Sequence, residues 1–168
     1  MNRALYLFVF CITGAAGGLT HALAASVPRA VGWVERVLVL PEELTLDAML
    51  DTGTQTTSIG ASDITRFEQH GRPWARFAIT DRLGNAAVLE RPIIRTVKVK
   101  RSGLEDENRP VVLLALCLDG EFRDEAVTLS DRSKLSYTLL IGRSAMAGRF
   151  KVDSSRQYTA KRDCIPRH

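Results

Sequence analysis

The residues best suited to chemistry in this chain lie in the segment Leu46-Asp47-Ala48-Met49-Leu50-Asp51-Thr52-Gly53-Thr54-Gln55-Thr56-Thr57-Ser58. An apolar stretch ends abruptly in Asp51, and Thr52 and Gly53 follow it. Asp, Thr and Gly in that order make a tight turn, because Gly53 can take backbone conformations barred to residues with a Cβ and leaves its N–H free to point at the carboxylate. A carboxylate at such a strand end is held rigidly yet faces whatever sits in the adjacent groove, as general acid–base work requires. Asp-x-Gly is also common as a plain Asx turn with no chemistry, and on these three residues alone that is the simpler reading.

A second segment, Tyr137-Thr138-Leu139-Leu140-Ile141-Gly142-Arg143-Ser144-Ala145-Met146, sets a hydrophobic run directly before Gly-Arg and a short helix. Other chemistries find little support. His70 and His168 are the only histidines beyond residue 24, there is no His-Glu-x-x-His, and Cys117 and Cys164 have no near partner at ligand spacing, so no metal site is expected. No Gly-x-x-x-x-Gly-Lys-Ser/Thr exists to cradle a nucleotide, and no cofactor is expected. Around Ser144 the chain has Met146 where a serine nucleophile elbow needs Gly, which leaves Ser144 as a helix-start or packing residue.

The elements that position these residues read as short strands. Period-two or short apolar runs with β-branched residues cover 33–40, 44–50, 74–80, 87–89, 93–99, 111–118, 125–129 and 137–141. Pro41-Glu42-Glu43, residues 81–85, Ser102-Gly103 and Asp119-Gly120 punctuate them, and Asp119-Gly120 is the strongest hairpin signal in the chain. Only 143–148 and 62–69 read as short helices. The expected fold is therefore all-β, a small closed or folded barrel with one short C-terminal helix.

With 168 residues, 45% hydrophobic and 25% charged, the chain suits one domain and excludes global disorder. The net charge of +4 is spread without a long basic run, so neither nucleic acid nor a membrane surface is an expected partner. Residues 1–24 follow the order of a secretory signal peptide: Arg3, an apolar stretch from Ala4 to Ile12, then Ala22-Leu23-Ala24 as a small-x-small cleavage site. The apolar stretch is short of the roughly 20 residues a membrane span needs. The expectation is an exported protein, periplasmic, with a single domain over 25–168. Cys11 falls in the leader, leaving Cys117 and Cys164 either bridged or as one buried and one loose thiol.

Taken together in order, these segments make the chain resemble the retropepsin-like aspartic proteases, in which an Asp-Thr-Gly turn follows apolar residues and a later hydrophobic-Gly segment packs against it, often with Arg after the Gly. It is similar in particular to a bacterial family that goes by the name ATP-dependent zinc protease. The shared framework runs from Gly32-Trp33 through Asp51-Thr52-Gly53, Arg109-Pro110-Val111, Leu129, Asp131-Arg132 and Leu140-Ile141-Gly142-Arg143-Ser144-Ala145 to Phe150-Lys151-Val152-Asp153. The resemblance implies catalysis by two carboxylates that share a proton and activate a water. The chain has one Asp-Thr-Gly, so it implies a homodimer with Asp51 from each subunit at the two-fold axis. Thr52 would buttress the partner turn, Gly53 and Thr54 would support the carboxylate, Ile141, Gly142 and Arg143 would line the cleft, and a flap between 93 and 112 would carry Ser102 and Gly103 near its tip.

Two departures from that pattern qualify the expectation. Retroviral members usually place an acid four residues past the catalytic Asp, opposite the Arg, where this chain has Gln55; Arg143 is left a neutral hydrogen bond, a substrate carboxylate or Asp131 as partner. The flap region is charged and polar where a Gly-rich flap is usual. Both features suit an alternative, a non-catalytic module on the same fold that grips a peptide or an acidic polymer. They also suit hydrolysis of an acidic polyamide such as a polyglutamate tail or a cell-wall peptide, which the cationic excess would favour.

Overall fold

The computed structural model describes residues 27–100, 106–161 and 163–164. Strand β1 (Arg29–Leu40) runs antiparallel to β2 (Leu44–Leu50), with Val37 opposite Leu46 and Val39 opposite Leu44. In β2 the alternation is complete: Leu44, Leu46, Ala48 and Leu50 are buried, while Thr45, Asp47 and Met49 are partly exposed. That inward-outward pattern is the period of a half-buried strand, and it delivers Asp51 to the strand's end.

Six strands close on themselves. β2 is followed around the barrel by β10 (Leu139–Ile141), β3 (Thr57–Gly60), β9 (Glu121–Ser130) and β8 (Glu107–Leu118), and β8 pairs back onto β1. The pairings of β2 with β10 and of β3 with β9 are parallel and the rest antiparallel, so the barrel is mixed. β8 and β9 are joined by Asp119-Gly120, both at positive φ (54° and 75°), the two-residue turn whose twist matches the strands it links. β7 (Arg95–Val99) extends the sheet beyond β8, and β11 (Phe150–Gln157) adds to the free side of β1 in parallel.

A separate three-stranded sheet joins β4 (Ser62–Gln69), β5 (Arg72–Thr80) and β6 (Ala86–Pro92). Its Phe77 and Leu89 belong to the same buried cluster as Leu46, Ile59, Leu114 and Leu139 of the barrel. The helix expected over 62–69 is a strand instead. His70 and Gly71, both at positive φ, turn the chain back so that Phe67 stands opposite Trp74, and this cross-strand pairing outweighs the weak helical spacing of Ile64 and Phe67. Two strands, β3 and β11, are additional to the expected set. The all-β barrel is as expected, and the one helix among the described residues, α1 (Arg143–Met146), is a single turn.

The segment after β11 straps the chain end to β1 and β8. Glu35, 1% exposed, accepts hydrogen bonds from the N–H groups of Gly32, Thr159 and Ala160 and from the Thr159 hydroxyl. Asp119 accepts from the N–H of Lys161, and Cys164 is bonded to Cys117 at the end of β8, with a Cα–Cα separation of 5.9 Å. Among the described residues no helix is long and apolar enough to cross a membrane.

Candidate active site

β10 lies between β2 and β3, its Leu140 opposite Met49 on one side and Ser58 on the other. That three-strand arrangement brings the two sequence segments together. The N–H of Asp51 donates to the Ile141 carbonyl at 2.9 Å, and the N–H groups of Arg143 and Ser144 donate to the carbonyls of Thr54 and Gln55 at 2.8 and 3.0 Å. The loop after Asp51 is thus stitched to the start of α1 by backbone bonds, which do not depend on which side chains the loop carries.

Gly142 makes this approach possible. A Cβ there would stand 2.5 to 2.8 Å from the backbone atoms of Thr56, far inside van der Waals contact. Its own N–H donates to the Thr57 hydroxyl at 3.3 Å. The glycine after the hydrophobic run is therefore required by crowding rather than by backbone angle, its φ being an ordinary −86°.

Asp51 is held from one side. Its Oδ1 accepts the Gly53 N–H at 2.8 Å and its Oδ2 accepts the Thr54 hydroxyl at 2.5 Å. The Thr54 hydroxyl, then the N–H groups of Gly53 and Thr54 and the Arg143 guanidinium, favour the ionised carboxylate, and slight burial works against them; its pKa lies below the ordinary value. These donors all come from the adjacent Gly53 and Thr54, and the carboxylate stands half-buried next to exposed Thr52 and Gly53. A carboxylate so arranged is ionised, oriented and free to take a proton or hold a water.

Arg143 braces the turn. Its guanidinium donates to the Thr52 carbonyl at 2.8 Å and to Gln55 Oε1 at 3.2 Å. Of the partners left open by the sequence, the neutral contact with Gln55 is the one formed. The site residues Asp51, Thr52, Gly53, Thr54, Ile141, Gly142 and Arg143 therefore converge, whereas Cys117 and Cys164 belong to the strap. β7 and β8 form an antiparallel hairpin in the register Arg95 opposite Val111 to Val99 opposite Glu107, where the flap is expected. Toward its turn end it is tied to the smaller sheet by Arg66, which donates to the Asn108 carbonyl. Ser102 and Gly103 lie outside the described residues.

One contributor went unassigned in the sequence. Arg132 donates to the Tyr137 carbonyl at 3.0 Å and to Ser58 Oγ at 3.2 Å, joining β3 to the strand entry that supports Asp51. Burial, then the positive charge of Arg109, lower its pKa, while the Asp51 carboxylate raises it, so the three charges lie within one electrostatic neighbourhood. Arg109 has one ion pair, to Glu107 at 2.9 Å, and its Nε is buried without a partner. The signal was the Asp131-Arg132 pair in the shared framework, which carried no chemistry until β3 placed it. No group of three or more His, Cys, Asp or Glu is arranged to hold a metal among the described residues.

Comparison with known proteins agrees with this geometry. A Legionella pneumophila protein of unknown function, solved by structural genomics, superposes with a TM-score of 0.68 at 33% identity, covering 79% of this chain and 98% of that one. Proteins named probable alpha-L-glutamate ligase are also similar: 29% identity over 116 residues for that of Shewanella pealeana and 32% over 115 for that of Desulfotalea psychrophila, each covering 67% of this chain. The match takes up 25% of each of those relatives, so the chain spans about a quarter of their length. The family model described as retropepsin-like aspartic endopeptidase RimB matches residues 30–163, and with the Asp51 turn, the Gly142 packing and the closed barrel this makes the chain a member of the RimB-like family of retropepsin-like aspartic endopeptidases.

Proposed function

We propose that the chain is an exported aspartic endopeptidase that hydrolyses amide bonds at a dyad formed by Asp51 of two identical subunits. The observation that carries this reading is the one-sided support of Asp51: its donors come from the adjacent Gly53 and Thr54, at a turn whose Thr52 and Gly53 are exposed. One chain keeps Asp51 ionised, below its ordinary pKa. A second Asp51 brought within a few ångströms would oppose double ionisation, so the pair would hold one proton between them and one apparent pKa would rise. The ionised member would draw a proton from water as that water attacks the scissile carbonyl, and the protonated member would give its proton toward the amide. Thr52, exposed beside the carboxylate, is available to reach the partner turn, and the β7–β8 hairpin to act as flap.

The substrate we favour is an acidic polyamide. Arg132 and Arg109 share the electrostatic neighbourhood of Asp51, and their positive charge favours an acidic chain. The relatives named as glutamate ligases carry a region like this chain as about a quarter of their length, which suits a domain that acts on glutamate amides. Export, with residues 1–24 as signal peptide and 25–168 as the mature periplasmic domain, is supported by the Cys117–Cys164 bond, a feature of oxidising compartments.

The test is hydrolysis of oligoglutamate and of neutral peptides by the purified chain and by Asp51→Asn across acidic to neutral pH. Cleavage of the acidic substrate that is lost in the variant is the expected result. Retained binding without cleavage by either protein would replace the peptidase with a binding module.

A further inference from the structure

At the far end of the barrel from Asp51 the outer face of β1 and β2 floors a groove of about 420 Å³, within the usual size range of ligand clefts. Thr45, on its floor, is the second residue of β2, and Asp51 follows the strand's last residue; at the rise of an extended chain they are about 20 Å apart. One wall is the β5–β6 turn, with Arg82 and Leu83; the other is the C-terminal strap, with Lys161 and Cys164. The groove is therefore built from three parts of the chain that the disulfide and the turn hold in place.

Its chemistry is two-part. Leu38, the Cys164 sulfur and Leu83 give an apolar surface, and Leu83 is 79% exposed at the turn tip although leucine has nothing to gain from water. Arg36, Arg82 and Lys161 bring three cations. Asp81 is taken up by its own turn, accepting from the N–H groups of Leu83 and Asn85 and from the Asn85 side chain. Asp47 serves both Arg36, at 3.9 Å, and Arg82, at 3.4 Å. Lys161 has no ion-pair partner for its ammonium among the described residues. Three cations thus stand against two carboxylates, Asp47 and Asp81, which leaves the groove one positive charge in excess around an apolar floor.

We infer that this groove binds an acidic peptide segment bearing an apolar side chain, the side chain on Leu38 and Leu83 and a carboxylate at Lys161 and Arg82. Resting on the peptidase reading for its use, the groove would dock a part of the substrate chain remote from the bond that is cut. Its occupancy is a matter of binding alone and stands or falls without hydrolysis.

The test uses the chain carrying Asp51→Asn, so that bound peptide is not cut, with a fluorescein-labelled decapeptide of alternating Glu and Leu read by anisotropy. Leu83→Asp and Lys161→Glu, each at an exposed position, should weaken binding about tenfold or more, and Val88→Asp, exposed but outside the groove, should not. A decapeptide of alternating Lys and Leu should bind far more weakly. Equal affinity in all variants, equal binding of the Lys peptide, or no binding of the Glu–Leu peptide would each overturn the assignment. Absence of peptidase activity in the parent chain alongside a lost Leu83→Asp signal would sink the function and keep the groove.

Discussion

Glu35, midway along β1, and Asp51, at the end of β2, are both carboxylates that accept several hydrogen bonds, yet they stand in opposite chemical situations. Glu35 is sealed, and four donors from Gly32, Thr159 and Ala160 surround it. Asp51 has two side-chain contacts on one flank and solvent on the other. The number of donors matters less than whether they close around the group: a closed shell makes a latch, an open one makes a reagent. Four substitutions test that contrast.

Asp51→Asn should have the largest effect, removing activity by about a thousandfold or more while leaving the melting temperature nearly unchanged, because the open side contributes little to the fold. Steady-state hydrolysis and thermal melting on the same sample separate the two. Glu35→Ala should do the reverse in kind. It takes the carboxylate away from the buried N–H of Gly32 and from the N–H groups of Thr159 and Ala160, at a cost of about 3 kcal/mol, and calorimetry should register a melting point lower by about 10 °C. If instead Glu35→Ala melts like the parent, the latch reading is wrong.

Gly142→Ala sits between these cases. The added Cβ must push the Thr56 backbone away, which should destabilise by about 1–3 kcal/mol and also move the Asp51 loop, lowering turnover more than the stability loss explains. Thr54→Val should have the smallest effect and the most specific one. The Thr54 hydroxyl is the largest of the influences that depress the Asp51 pKa. A depressed carboxylate favours the fold at neutral pH and loses that contribution as pH falls through the lowered value. Removing the hydroxyl lets the pKa rise, so the acid limb of the activity profile should move to higher pH; an unmoved limb would show that Thr54 does not tune the reacting carboxylate.

Much of this was legible before the fold was seen, for physical reasons that differ by element. β2 was readable because Leu44, Leu46, Ala48 and Leu50 alternate with exposed residues, and Asp119-Gly120 because few other residues accept that turn. β4 was misread since its strand state comes from pairing with β5 across the His70-Gly71 turn, which the spacing of apolar residues within 62–69 does not show. β11 escaped because Phe150–Gln157 is mostly polar, its place secured by the edge of β1 and by the strap rather than by burial. In the site, Asp51 and Gly142 announced themselves through crowded, residue-specific turns. Arg132 did not, because its role depends on Ser58 and Tyr137, which only the tertiary fold brings beside it.

The most direct measurement of the two-subunit site is specific activity against protein concentration, with the mass in solution recorded at each point. Activity per chain should fall on dilution in step with the loss of the dimer, since a lone Asp51 is left ionised and without its partner. A monomer that cleaves oligoglutamate at undiminished rate would contradict the shared dyad.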